Sequence, residues 1–267
     1  MRKALIVVVA ALVTSAAVVL ASSSTREGAQ EQAAPAWAKN SCRDAVAAAE
    51  FARPIGRARP LVARMKTAFG APGLQLAVAV DGKIVWSRVC GLADVARSTA
   101  TTRTTLFRIG SVSKTFTATA LARLAQSGTV DLDVPVQTYV PTFPEKRGTI
   151  TLAHLASHQA GIRHYRGGEA LSTDRYESIT DSLRIVAADP LLFRPGSDYS
   201  YSSYGFNLLG AALEGASGER FVEVLRREVF APLGLEHTGS TCQGCAGGPR
   251  STRFAVIAAR SRLPRST

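Results

Sequence analysis

Cysteine is scarce in this 267-residue sequence, with four residues, and methionine and tryptophan are scarcer, with two each; aromatic side chains make up 7% of the chain. Four cysteines are too few for a disulfide scaffold. Only one apolar run, over residues 4–21, approaches the length of a membrane span, which excludes a polytopic membrane protein. Glycine carries no triplet period and proline no excess, so collagen-like and linker-type chains are excluded as well. What is present is 46% hydrophobic and 19% charged residues, ordinary globular usage over a length that supports a sizeable core and one to two domains.

Acid is also short, with 20 Asp and Glu against 32 Lys and Arg, for a formal net charge of +12. Such an excess suggests nucleic acid or an anionic surface as partner. Its distribution argues otherwise: the acid-free tail 247–267 carries five of the charges and Arg2 and Lys3 two more, leaving +5 over the rest, with no aromatic-interleaved basic stripe. No nucleic-acid partner is expected. Arg2 and Lys3, the apolar run 4–21 and the small polar residues after it form the pattern of an export signal, with cleavage expected after Ala21. The competing expectation is an uncleaved membrane tether through residues 4–21, since 18 residues just span a bilayer. Either way the folded part is expected to be secreted or periplasmic. Residues 22–40, a Ser, Ala, Gln and Glu mixture at first, predict a flexible spacer.

In an oxidising compartment Cys42, Cys90, Cys242 and Cys245 can pair, but spacing leaves the connectivity open. Cys242 and Cys245, two residues apart, lack the second pair of a zinc site and the βαβ context of a redox motif, and are expected to be a locally paired or free couple. Cys90, ending a strand, is expected to be a small buried hydrophobe.

Residues 57–69 place Leu61, Met65 and Phe69 at i, i+4 and i+8 before Gly70, which predicts a helix. Residues 73–80 and 83–90 alternate around Asp81-Gly82 and predict a β-hairpin. Residues 111–127 carry an apolar stripe of Phe116, Ala120, Leu121 and Leu124 closed by Gly128, the strongest helix pattern in the chain. Shorter helices are expected over 151–157, 179–188, 206–213 and 219–230. After Gly218 the one strand-like run is 254–259.

At the mouth of the strongest helix stands Ser111, with Lys114 three residues on and on the same helix face. A serine nucleophile needs a base within hydrogen-bond reach, and a lysine in a desolvated site can accept its proton. The helix N-terminus presents unpaired N–H groups, so the Ser111 amide is placed to stabilise an oxyanion. Ser-x-x-Lys alone occurs in many surface helices. The surrounding letters are more specific: Phe107-Arg108-Ile109-Gly110-Ser111-Val112-Ser113-Lys114 resembles the active-site segment of the serine β-lactamase-like and penicillin-binding hydrolases, especially the class C and esterase-like branch. The hairpin around Asp81-Gly82, the segment 134–141 and the segment 150–162 resemble the same family. Continuing through Arg163, His164 and Tyr165, that last segment is most similar to the branch of the mitochondrial serine β-lactamase-like protein. The resemblance runs from about Leu61 to about Leu235.

The resemblance implies an α/β (α+β) fold, with an antiparallel sheet flanked by helices, a helical region, and an active site between them. It assigns Tyr201 as the proton shuttle between Ser111, Lys114 and the leaving group, from the match of residues 201–210 to the family's second motif. Ser203 stands where that motif usually has Asn. A hydroxyl still hydrogen-bonds a substrate or Lys114 but has fewer donors than an amide, which points toward an esterase or peptidase rather than an efficient β-lactamase. Gly110 and Ser203 are the expected substrate-binding positions. His237-Thr238-Gly239 matches the letters of the third motif, but it follows the helix-ending segment 231–235 with no strand pattern around it and reads as a loop. His154 and His158 have the i, i+4 spacing of a metal pair on a short helix, yet Leu155 replaces the glutamate of the zincin pattern; helix packing or capping is expected. His164 receives no role. No metal or cofactor is expected.

The sequence thus predicts a partial β-lactamase-related domain over 41–235, an incomplete sheet, and a basic tail over 236–267 suggesting truncation or frame shift. The expected activity is acyl transfer at Ser111 on a small-molecule or peptide substrate carrying an ester, amide or β-lactam bond. The alternative is a catalytically incomplete member that binds peptide, cell-wall or protein partners.

Overall fold

A computed structural model describes residues 7–12, 41–172, 174, 176, 178–240 and 257–259. They fall into two units, one running to Arg108 and one from Ile109 to Ala259. The spacer 22–40, Cys242, Cys245 and most of the tail lie outside the described residues.

The first unit is an antiparallel sheet with one long helix. Its elements are β1 (Val7–Leu12), β2 (Cys42–Ala47), α1 (Ala52–Ala68), β3 (Gly73–Val80), β4 (Lys83–Asp94), β5 (Thr99–Ala100) and β6 (Phe107–Arg108). The main sheet runs β1-β3-β4-β2, with β5 on the far end of β4. The hairpin β3–β4 folds where alternation places it. Asp81 and Gly82 both take positive φ, 48° and 75°, the two left-handed residues that a tight turn matched to strand twist requires. β4 continues four residues beyond the expected strand.

Two features of this unit depart from expectation. Val7–Leu12, inside the export-signal pattern, runs as a strand along β3; a short run rich in β-branched residues satisfies a strand as well as a signal core. Cys90 is buried at 1% exposure, as expected of a small hydrophobe, but it is bonded to Cys42, its partner in the β2–β4 register.

α1 forms over the predicted stretch and begins five residues earlier. The side chains that announce it are not those that pack: Leu61, Met65 and Phe69 are 49%, 45% and 57% exposed, whereas Ile55 and Val62 join Leu74, Leu76, Trp86 and Cys90 in the core. Asp44 ties strand to helix, accepting from Trp86 Nε1 at 3.1 Å, from Arg88 Nη1 at 2.5 Å and from Arg59 Nε at 2.8 Å. Burial would raise its pKa, but these three hydrogen bonds and the Arg88 charge outweigh burial and lower it.

The second unit is mainly helical. A 3₁₀ turn over Gly110–Val112 leads into α2 (Ser113–Gln126), followed by α3 (Leu152–Ala156), α4 (Arg184–Ala187), α5 (Ser203–Ser217) and α6 (Phe221–Leu225), which continues as a π turn over Arg226–Phe230. α5 is central: Leu208, Leu209, Ala212 and Leu213 are fully buried and pack with Leu121 and Leu124 of α2, Leu152 and Leu155 of α3, and Val224 of α6. The stretch 179–188 forms a 3₁₀ turn and then the single turn of α4, since Pro190 leaves no room for continuation.

β7 (Gly239–Ser240) and β8 (Ile257–Ala259) pair antiparallel. His237 lies in a turn and Thr238 in irregular chain, as the loop reading expects; the departure is at Gly239, which opens a strand whose partner lies within the predicted run 254–259. A two-residue strand has no alternation to read, and its partner is 19 residues away. The α/β (α+β) arrangement implied by the resemblance is present, antiparallel strands followed by a mainly helical region, and among the described residues the sheet is not closed.

Candidate active site

Ser111 occupies the 3₁₀ turn two residues before α2, not the α-helix itself, and Lys114 is the second residue of α2. The tight turn keeps the i, i+3 relation and brings Lys114 Nζ within 3.3 Å of Ser111 Oγ, to which it donates. Gly110 has φ of +51°, and a β-carbon there would meet nothing within 4 Å, so it is the left-handed backbone and not space that suits glycine at this position. Ser111 is exposed and Lys114 half-buried.

From the start of α5, Tyr201 donates its hydroxyl to Ser111 Oγ at 2.7 Å, and Ser203 Oγ accepts from Lys114 Nζ at 3.0 Å. The four side chains singled out from sequence therefore form one hydrogen-bonded cluster across about 90 residues of chain. Ser202 puts the second half there. It caps α5, accepting from the Gly205 N–H at 2.9 Å, and donates its own hydroxyl to the Arg163 carbonyl at 2.8 Å. The predicted helix over 206–213 therefore starts three residues earlier. Phe206 lies one turn in, and Lys114 Nζ sits 5.5 Å from its ring and 4.8 Å from the Tyr201 ring.

Burial on its own would raise the Tyr201 pKa. Its hydrogen bonds with Lys114 and Ser111 and the Lys114 charge outweigh it, so the phenol is lowered from 10.0. Such a group can alternate between taking a proton from Ser111 and returning it to a leaving group.

Around this cluster lie residues that the sequence did not single out as functional. Arg163, 6% exposed, donates to both carboxylate oxygens of Glu169 at 2.7 and 3.0 Å, to Asp189 at 2.5 Å and to the His164 carbonyl at 3.0 Å. Tyr204 adds a hydroxyl to Glu169 at 3.0 Å. Hydrogen bonds from Arg163 first, and then from the Arg166 N–H, take Glu169 down to about 2. His158 and His164 accept from the Ser202 and Ser203 amides, both at 3.2 Å. His158 was expected on the helix with His154; α3 ends at Ala156, and His158 has left it with φ of 61°. His154 remains in α3 and donates its amide to the Thr151 cap. The one sequence signal for these residues was the family-like segment 150–165, whose letters carry no role by themselves.

The Beta-lactamase family model matches residues 58–249. The human mitochondrial serine beta-lactamase-like protein LACTB is 33% identical over 254 aligned residues, covering 69% of this chain and 46% of its own length. Among solved structures, EstCE1, a hydrolase with promiscuous acyltransferase activity, matches with a TM-score of 0.63 at 28% identity, over 72% of this chain and 55% of that one. The D-amino acid amidase of Ochrobactrum anthropi SV3 matches at 0.59 and 27%, over 69% of this chain and 51% of its own. The chain thus spans about half the length of the relatives it matches, and within that span it belongs to the Beta-lactamase family of serine hydrolases.

Proposed function

We propose that the chain is an exported serine hydrolase that forms an acyl-enzyme at Ser111 and acts on small esters or amides in preference to β-lactams. The observation that carries this reading is the 2.7 Å hydrogen bond between Tyr201 and Ser111, with Lys114 reaching Ser111 and Ser203 from the other side. With Tyr201 deprotonated, the Ser111 oxygen bonds to the substrate carbonyl carbon while its proton passes to the Tyr201 oxygen and the carbonyl electron pair moves onto oxygen, facing the Ser111 amide. Collapse of that intermediate breaks the bond to the leaving group, which takes the proton from Tyr201. Water then attacks the acyl carbon by the same path reversed, and Ser111 regains its proton.

Ser203 in the place of Asn supports the preference for esters and amides, because it removes an amide donor from the substrate's side of the site. EstCE1 is a hydrolase with promiscuous acyltransferase activity and the second neighbour is an amidase, which supports acyl transfer with an amide among the bonds attacked. Export rests on the pattern over residues 1–21.

Incubation with a fluorophosphonate, followed by intact-mass and peptide mapping, tests the proposal. One adduct on Ser111, absent in Ser111→Ala, is expected. No adduct, or an adduct that survives Ser111→Ala, overturns it. N-terminal sequencing of exported protein tests the signal, with a start near Ser22 expected.

A further inference from the structure

The segment bearing Tyr201 and Ser203 is held by a second stretch of chain through four hydrogen bonds. The Ser200 N–H donates to the His158 carbonyl at 3.0 Å, the Ser202 N–H to His158 Nδ1 at 3.2 Å, the Ser203 N–H to His164 Nδ1 at 3.2 Å, and Ser202 Oγ to the Arg163 carbonyl at 2.8 Å. Two of the four end on imidazole nitrogens. The Tyr201 ring lies against both imidazoles, tilted over His158 at 4.5 Å and edge-on to His164 at 5.2 Å. Phe206 backs His158 at 5.0 Å and Tyr165 backs His164 at 4.4 Å.

A nitrogen that accepts a hydrogen bond carries no proton, so both rings are neutral and protonated on Nε2. Adding a proton to Nδ1 turns the acceptor into a donor facing another donor, and the contact is lost. We propose that neutral His158 and His164 are positioning residues that clasp the Tyr201–Ser203 segment against Ser111 and Lys114, and that protonating them opens the clasp and disables the nucleophile. This rests on the acyl-transfer reading only for its effect on Ser111; the clasp itself is geometry.

The titratable and charged groups facing His158 are Lys114, His164, Tyr199 and Tyr201; those facing His164 are Lys114, His158, Tyr165 and Tyr201. No carboxylate figures among these described neighbours to stabilise an imidazolium. Burial first, and then the Lys114 charge, lower both histidines from 6.5, which places the opening on the acid side of that value.

Asparagine separates clasping from titration. Its amide oxygen accepts in place of Nδ1 and does not titrate, and asparagine tolerates the positive φ of His158 better than other residues with a β-carbon. The experiment follows the amide shifts of Ser202 and Ser203 in the ¹⁵N-labelled full chain between pH 7.5 and 4.5, alongside the rate of fluorophosphonate labelling of Ser111. In the unsubstituted chain both amides are expected to move with a midpoint below pH 6.5, and labelling to fall about tenfold or more through the same midpoint. His164→Ala is expected to slow labelling about tenfold at pH 7.5, with His164→Asn recovering most of that loss. Protonation of Tyr201 imposes a gradual fall on every variant, so the double variant His158→Asn, His164→Asn is expected to keep only that gradual fall and to lose the additional step below pH 6.5. Amides that stay still, or an additional step that persists unchanged in the folded double variant, would overturn the clasp. Amides that titrate in a chain that no probe labels would support the clasp while removing the acyl-transfer reading.

Discussion

Ser111 Oγ accepts from Tyr201 and Lys114 together, so the resting arrangement holds the nucleophile with both partners protonated toward it. Reaction requires Tyr201 to be an acceptor, and its lowered pKa makes that form accessible below pH 10. Labelling of Ser111 should therefore rise with pH above neutrality and level off before pH 10, as a stopped-time series would show. Tyr201→Phe removes the acceptor and should cut the rate by about a hundredfold or more, the usual worth of a positioned acid–base group. The two histidines impose a stability profile as well. Their folded pKa values are lowered, so the unfolded chain binds more protons between those values and 6.5, and stability rises with pH across that window. A melting temperature that falls as pH drops below 6.5 is expected, and one that rises would contradict the neutral-imidazole geometry. Ser111 and Lys114 were legible because helix spacing alone brings them together. The roles of His158 and His164 were not, since each is decided by a contact with residues 44 and 39 positions away.

Among the elements, α5 depends most visibly on one side chain. Ser202 closes its first turn and reaches back to the Arg163 carbonyl, so Ser202→Ala should cost about 1 to 2 kcal/mol for the cap alone, measured by urea unfolding, and should slow labelling by moving Tyr201 and Ser203. α1 shows the limit of reading elements from pattern. Leu61, Met65 and Phe69 state correctly that a helix is there, but Ile55 and Val62 form a second apolar line on the same helix, and only the sheet decides which line is buried. The hairpin β3–β4 is the opposite case, because its turn chemistry and its alternation sit in 18 consecutive residues. β8 falls inside the strand-like run 254–259, but β7 was beyond reach for the reason that makes long-range strands hard in general: it is too short to have a period, and its pairing is not local.

At the level of the whole chain, rate depends on how many donors face the developing oxyanion. An acyl-transfer site works with converging oxyanion donors, and losing one costs about a hundredfold to a thousandfold. Among the described residues the Ser111 amide is the donor that sequence and geometry both offer. Labelling by small activated probes should then outpace turnover of penicillins or cephalosporins, which a colorimetric cephalosporin assay run beside ester hydrolysis would show. Efficient cephalosporin turnover would point to a second donor outside the described residues. The first unit has its own constraint in Cys42–Cys90, which closes a loop of 48 residues and by chain-entropy reasoning restrains the unfolded chain by up to about 4 kcal/mol. Making that bond removes two electrons from the chain, and they must go to an acceptor that a glutathione-poised cytosol does not offer. The described residues of the second unit contain no cysteine, so reduction should soften the sheet of the first unit while leaving the Ser111 cluster without a covalent change. Where the chain is made, and how long it waits among thiols, would then be written into the firmness of one unit and not into the chemistry of the other.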